Sequence, residues 1–210
     1  MSAQLAVLLS GSGTTLQNLI DRIADGTLDA RIKLVISSRP GVYGLERARL
    51  ANIPHLVIER KGLSREAFGL AIYEKLRAEP IDLVCLAGFL EFLPIPPDFT
   101  HKVMNIHPSL IPAFSGKGFY GHKVHEAALA AGVKVSGCTV HFADNEFDHG
   151  PIILQQTVNV LDDDTPDTLA ARVFQAECQA YPQAINWFAQ KRLEFVGHQV
   201  RLRPVTNPQK

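Results

Sequence analysis

The chain has 210 residues, with 21 Lys plus Arg set against 21 Asp plus Glu, a hydrophobic share of 46% and a charged share of 20%. That length and apolar content predict one large domain with a full core and exclude intrinsic disorder as the main state. A formal net charge of zero disfavours a protein that coats nucleic acid or an anionic membrane, while leaving room for a small anion held by local backbone dipoles.

The first apolar run, residues 5–9, is short and continuous, as expected of a strand buried on both faces. Ser10-Gly-Ser-Gly-Thr-Thr15 follows, and then Leu16, Leu19, Ile20 and Ile23 recur at helical spacing. Residues 32–36 predict a second strand, 44–52 a helix that ends before Pro54, and 55–58 a third strand. Ser64 is placed to cap a helix reaching about residue 78, and Pro80 prevents its continuation. Residues 81–87 predict another buried strand. This alternation predicts an α/β fold with a doubly wound, mostly parallel sheet. Beyond it, residues 103–106, 135–142 and 152–160 predict strands, the last a late antiparallel addition. Residues 124–131 predict a helix. A long helical stretch runs from Thr165 to about Lys191, with Pro182 expected to kink or break it. The expected organisation is a single domain over residues 1–202. Its N-terminal half runs to about residue 100, and residues 203–210 form a loose tail.

Cys85, Cys138 and Cys178 are odd in number, far apart and in apolar contexts. They predict buried, reduced thiols and a cytoplasmic protein, with neither a disulfide framework nor a cysteine metal site. The five-residue apolar run near the N-terminus is too short for a secretory leader, and no stretch approaches a membrane span.

Strand, Gly-rich loop, helix is an arrangement suited to phosphate, because the free amides at a helix start carry partial positive charge. The loop lacks the Gly-Lys-Ser/Thr of a nucleoside triphosphate loop. Leu16 occupies the third glycine position of a dinucleotide fingerprint. The loop is sized for one phosphate, the alternative being a tight turn with threonine caps.

Six of the eight histidines lie between residues 101 and 149, and five of the thirteen prolines between 94 and 112. Within that region Asn105-Ile-His107-Pro108 is the most informative run. Pro108 biases His107 toward extended backbone, and in an extended chain residues i and i+2 share a side. Asn105 and His107 therefore present an amide and an imidazole together at a strand end, a pair suited to a developing oxyanion. Asp148, in the turn after residues 135–142, is placed to hydrogen-bond His107, fix its tautomer and favour its protonated form. The alternatives are a strand end with satisfied polar groups and a turn aspartate before Gly-Pro. His122, His125, His141 and His149 raise a metal hypothesis, but no recognisable ligand spacing accompanies them and no metal is expected. Lys117 is in reach of an anion, with a solvated lysine as the default.

Together these segments resemble the glycinamide ribonucleotide formyltransferases, a folate-dependent family of purine biosynthesis. The resemblance runs from Val7 to about Leu193. It rests on Leu-Ser-Gly-Ser-Gly-Thr-Thr-Leu-Gln at 9–17, Gly-Leu-Glu-Arg-Ala at 44–48, Leu-Ala-Gly-Phe at 86–89, Asn-Ile-His-Pro-Ser-Leu-Ile-Pro at 105–112, Val-His-Phe at 140–142, Asp-His-Gly-Pro-Ile-Ile at 148–153 and Ala-Arg-Val at 171–173. The resemblance implies a Rossmann-like formyltransferase fold and formyl transfer from 10-formyltetrahydrofolate, as co-substrate, to the amine of glycinamide ribonucleotide. It implies Asn105, His107 and Asp148 as the catalytic trio, and Ser12, Gly13, Thr14 and Thr15 as the phosphate loop. Glu177 is implied to hold the ribose. Leu90, Glu91, Phe92 and Leu93, with Ala143 and Asp144 opposite, are implied to line the folate pocket, with Asn105 at its inner end and Arg65 near the cofactor. It implies no nucleic-acid or membrane partner, and a monomer or homodimer.

Three positions depart from the family pattern. Glu91 stands where a basic residue is usual, Asn145 where an acid is common, and residues 114–121 form a longer, more glycine-rich loop. The closest alternative is a formyltetrahydrofolate hydrolase, with water in place of the amine. At this length the chain is expected to lack the extra domains of that hydrolase and of a methionyl-tRNA formyltransferase. A non-catalytic phosphate-binding module and a metal-dependent hydrolase are further alternatives.

Overall fold

In a computed structural model, which describes residues 2–204, the side chains of strand β1 (Ala3–Leu9) divide between two cores. Leu5, Val7 and Leu9 enter one apolar cluster, whereas Ala6 and Leu8 enter another on the opposite face. This two-sided burial is why the run is apolar throughout instead of alternating.

The elements continue as α1 (Thr14–Ala24), β2 (Ala30–Ser37), α2 (Tyr43–Leu50), β3 (His55–Val57), α3 (Arg65–Arg77) and β4 (Leu83–Leu86). A 3-10 turn over Pro97–Phe99 leads to β5 (Val103–His107), α4 (His122–Ala130), β6 (Val135–Phe142), β7 (Ile152–Asn159) and α5 (Pro166–Ala189). Seven strands form one sheet in the order β3-β2-β1-β4-β5-β6-β7. Pairs among β1 to β5 are parallel, whereas β5–β6 and β6–β7 are antiparallel. The doubly wound expectation therefore holds. The late antiparallel strand is present as expected, β7 pairing with β6, and β6 itself also runs antiparallel to β5. Leu16 and Leu19 of α1 and Leu169, Val173 and Ile185 of α5 cover one face. Phe68, Ile72 and Leu76 of α3 cover the other.

The predicted elements are present with ends shifted by a few residues. Ser64 caps α3 by accepting from the Ala67 amide at 3.1 Å. Thr165 and Thr168 form a reciprocal cap at the start of α5. Pro182 neither breaks nor divides that helix, which runs without interruption to Ala189. A proline leaves the carbonyl four residues earlier without its helical donor. Here that carbonyl, of Cys178, accepts from the Asn18 amide of α1 at 3.2 Å. The proline thus supplies a docking point between two helices.

Residues beyond α5 differ from expectation. Leu193–Val196 and Gln199–Leu202 form a hairpin, β8 and β9. Phe195 stacks on His101 with ring centroids 3.7 Å apart and packs against Phe142. Arg203 is anchored, its amide donating to the Arg192 carbonyl at 2.8 Å. Of the expected tail over 203–210, residues 205–210 lie outside the described residues. All three cysteines are free; Cys85 and Cys138 are buried as expected, and Cys178 is half-buried. No helix among the described residues is long and apolar enough to cross a membrane.

Candidate active site

In this sheet the strand order turns around between β1 and β4, and the crevice outside the carboxyl ends of the strands at such a point is where open α/β sheets bind ligands. Three segments meet there: residues 10–13 after β1, residues 88–93 after β4, and the end of β5. Ser10 ties the first two together. Its amide donates to the Gly88 carbonyl at 3.0 Å, and its hydroxyl accepts from the Leu90 amide at 2.9 Å. Tyr181 reaches the Met104 carbonyl at 2.8 Å and the Leu86 carbonyl at 3.1 Å, which fixes β4 against β5 just below the site.

The Gly-rich loop differs in one respect from the threonine-capped turn. The residue capping α1 is Gly13, in the left-handed region at φ 71°, and no side chain caps the helix. Among the described residues, no acceptor takes the amides of residues 12–15. A substituent on Gly13 would lie 2.6 Å from the Gly44 Cα, so glycine is required for the close approach of loop and α2 as well as for the backbone angle. Arg47 of α2 buttresses the loop, donating to the Ser12 carbonyl at 3.0 Å and the Gln17 side chain at 2.9 Å. Arg47 lies in the 44–48 motif, and nothing local in the sequence points to this contact. Gly13→Ala is expected to lower unfolding free energy by about 2 kcal/mol, from the left-handed angle and the backbone clash. Gly11→Ala, whose Cβ meets nothing within 4 Å, serves as the neutral control in the same denaturant titration.

Glu177 on α5 is half-buried and makes no hydrogen bond or ion pair among the described residues. Burial pushes its carboxyl up to about 7. The neighbouring Asn18–Cys178 bond brings this part of α5 against α1, on the phosphate-loop side of the sheet.

Asn105, His107 and Asp148 come together as expected. The His107 Nδ1 lies 3.5 Å from Asp148 Oδ2, and the Asn105 amide nitrogen 3.5 Å from Asp148 Oδ1. His107 is 4% exposed. Its Nε2 faces the Phe114 carbonyl at 3.0 Å. Asp148 Oδ2 accepts a shorter bond, 2.9 Å, from the Gly116 amide. The glycine-rich loop is therefore attached to both the imidazole and the carboxylate, which answers how it sits over the site. Asp148 itself adopts φ 51°, a left-handed conformation that aspartate tolerates better than most residues. Two residues on, Gly150 packs so closely on the Phe142 carbonyl oxygen that a Cβ has no room there. This contact holds the Asp148 turn down on the end of β6.

A pocket opens beside the trio, lined by residues 88–93, Asn105, His107, Ala143, Asp144, Phe147 and Asp148, with part of the glycine-rich loop over it. Leu93 is buried in its wall, and Phe92 meets Phe147 edge-on at 4.9 Å. Arg65 is exposed and lies outside the lining, with its guanidinium 5.2 Å from the Phe92 ring centroid. Glu91 is paired with Arg60 at 3.1 Å, so a basic group does reach this position, from a different segment. Asn145 binds the backbone of Ile95 through both ends of its amide, at 2.7 and 3.2 Å, which accounts for a neutral residue there. Asp144 is bonded to His149 at 2.7 Å, and that contact raises the histidine's pKa.

The other histidines disperse. His122 faces Asp167 at 3.5 Å, and His125 is buried, with its pKa pushed down to about 4 chiefly by desolvation. No group of three potential ligands for a metal is present among the described residues. The exception to the dispersal is His141, which the sequence placed within a motif and among the metal candidates. It is 2% exposed and its Nε2 lies 3.1 Å from the Asn105 amide nitrogen.

A Rossmann-like sheet with a Gly-rich loop after β1 and an Asn-His-Asp cluster at the end of β5 matches a known class. Residues 3–185 match the model described as formyl transferase, and the chain belongs to that family. More particularly, it is 40% identical over 197 residues to the phosphoribosylglycinamide formyltransferase of Haemophilus influenzae, covering 91% of this chain and 90% of that one. The crystal structure of glycinamide ribonucleotide transformylase 1 from Symbiobacterium toebii superposes with a TM-score of 0.90 at 43% identity, over 97% of this chain and 95% of that one. The trifunctional purine biosynthetic protein adenosine-3 of Drosophila melanogaster is 45% identical over 187 residues. This match covers 87% of the chain but only 14% of the length of that relative.

Proposed function

We propose that this chain transfers the formyl group of 10-formyltetrahydrofolate to the amine of glycinamide ribonucleotide, giving formylglycinamide ribonucleotide in purine biosynthesis. The observation that carries the reading is the meeting of Asn105, His107 and Asp148 at the wall of one pocket. Residues 12–15 offer free amides and hydroxyls to one phosphate. Glu177, a carboxylate without a partner among the described residues, suits the hydroxyls of a ribose. The pocket walled by Leu90, Glu91, Phe92 and Leu93 on one side and Ala143 and Asp144 on the other suits a planar ring. Arg60, paired with Glu91, and Arg65, over the Phe92 ring, are the cations beside this wall that an anionic tail could meet. The names of the relatives above support formyl transfer and the ribonucleotide acceptor. Residues 1–202 act in this reading as one formyltransferase unit, as monomer or homodimer, in the cytoplasm.

The chemistry follows from the trio. The substrate's own amine, in its neutral form, attacks the formyl carbonyl. The C–N bond to the amine forms, and negative charge develops on the carbonyl oxygen. Asn105 donates to that oxygen, and the His107 imidazolium, with the Asp148 carboxylate as counter-charge, joins it once Nε2 leaves its resting partner, the Phe114 carbonyl. One proton leaves the attacking amine and one is delivered to the departing nitrogen of the donor, so the bond to that nitrogen breaks without an anionic amine. The enzyme needs no nucleophile of its own.

The test is a single assay, following tetrahydrofolate release from 10-formyltetrahydrofolate with and without glycinamide ribonucleotide. Release that depends on the ribonucleotide supports transfer. Equal release without it would replace this reading by the hydrolase, and no release in either case by a binding module. Activity abolished by a chelator would favour the metal-dependent hydrolase.

A further inference from the structure

His141 and Asn105 are paired across β5 and β6, so the ladder alone sets them side by side. Two details make the contact directional. The register of β6 against β7 slips between Val140 and His141, and such bulges re-aim side chains next to active sites. The His141 Nδ1 lies 2.9 Å from the Phe142 carbonyl, an acceptor only, so Nδ1 carries the proton and donates. In the neutral ring Nε2 is then an acceptor, and it faces the Asn105 amide nitrogen at 3.1 Å.

We propose that His141 is a positioning residue, whose Nε2 accepts one proton of the Asn105 amide and thereby fixes which end of that amide meets the reacting carbonyl. With nitrogen held toward His141, the second amide proton has only the Asp148 carboxylate at 3.5 Å. So long a contact yields readily to a substrate oxygen. If His141 were protonated, two donors would face each other. Relief would come by rotating the amide, which would present oxygen to oxygen at the reaction centre. The charged or titratable groups around the ring are Asp148, whose Oδ1 is 3.9 Å from Nε2, His107 and Asp144. Burial outweighs the carboxylates and holds the His141 pKa below its usual value, which keeps the acceptor available near neutral pH.

The inference rests on the formyl-transfer reading, and its test separates the two. His141→Gln retains an oxygen able to accept from Asn105, whereas His141→Leu fills the buried space without an acceptor. Expected is a fall in kcat of about tenfold or more for the leucine variant, with KM for both substrates within about twofold, and recovery of most of kcat by glutamine. A purely packing role predicts the reverse order, because leucine suits a buried site better than an unpaired amide. Leucine turning over as fast as glutamine would overturn the proposal. Should the leucine variant fail to fold, the 15N spectrum of the wild-type imidazole at neutral pH decides. A protonated Nδ1 with a bare Nε2 supports it, and a protonated Nε2 refutes it. Absence of turnover in the wild type would count against the function alone, since the tautomer is read without substrate.

Discussion

Asp148→Asn is expected to lower turnover by about a hundredfold or more while leaving the fold intact. The backbone argues for the intact fold, because asparagine accepts the left-handed angle of this position as readily as aspartate. The loss follows from the contacts of the carboxylate. One oxygen receives the Gly116 amide and faces His107 Nδ1, and the other faces Asn105 and His141. All but His141 Nε2 are donors toward it. An amide has only one oxygen, so its NH2 must point at a donor whichever way it is turned, and the counter-charge for the imidazolium is lost in either orientation. Steady-state kcat at neutral pH, compared with the melting transition of the same sample, checks both halves of the prediction. Near-normal turnover by the folded variant would sink the role given to this carboxylate.

His107→Ala is expected to cost at least as much. Loss of one donor to a developing oxyanion typically costs on the order of a hundredfold or more, and in the proposed mechanism this donor is also the cationic one. The side chain is buried and ties the glycine-rich loop to the end of β5 through the Phe114 carbonyl. Its removal therefore releases a second constraint, and KM for the formyl donor should rise along with the fall in kcat. His107→Asn separates the effects, because an amide can still donate to the Phe114 carbonyl without carrying charge. In that variant KM should return toward the wild-type value while kcat stays low. Wild-type kcat in the alanine variant would remove His107 from the mechanism.

Much of the site could be read along the chain because its parts are local. A proline after His107 enforces extended backbone, and extended backbone puts Asn105 and His107 on one side. A strand followed by Ser-Gly-Ser-Gly and a helical repeat is likewise a short-range pattern. The element types were legible for the same reason, with small shifts at their ends, where capping and tertiary contacts decide. The misses are contacts between distant segments. Arg47 reaches the loop from α2, Arg60 reaches Glu91 across 31 residues, and His141 reaches Asn105 across 36. The alternation of residues along β6 could have placed His141 on a face, but only the pairing with β5 gives it a partner.

Pro182 and the β8–β9 hairpin show the same limit from the side of the fold. Proline within a helix locally predicts a break. The helix continues because Asn18, 160 residues away in sequence, satisfies the carbonyl that the proline leaves open. The hairpin is short and of mixed polarity, and its place comes from Phe195 stacking on His101 and packing on Phe142.

The sequence by itself determined the charge balance, the two-sided apolar strands and the residue types of the site, since these depend on composition and on periods of two or a few residues. The balanced charge is compatible with an anionic substrate because the loop after β1 offers amides, which no tally of side chains counts. The tertiary structure decided the orientations. Which acceptor meets the Asn105 amide, which donor takes Asp148, and how the loop closes all depend on strand pairing and on a turn pressed against β6. Those are long-range contacts, formed only once the sheet has assembled.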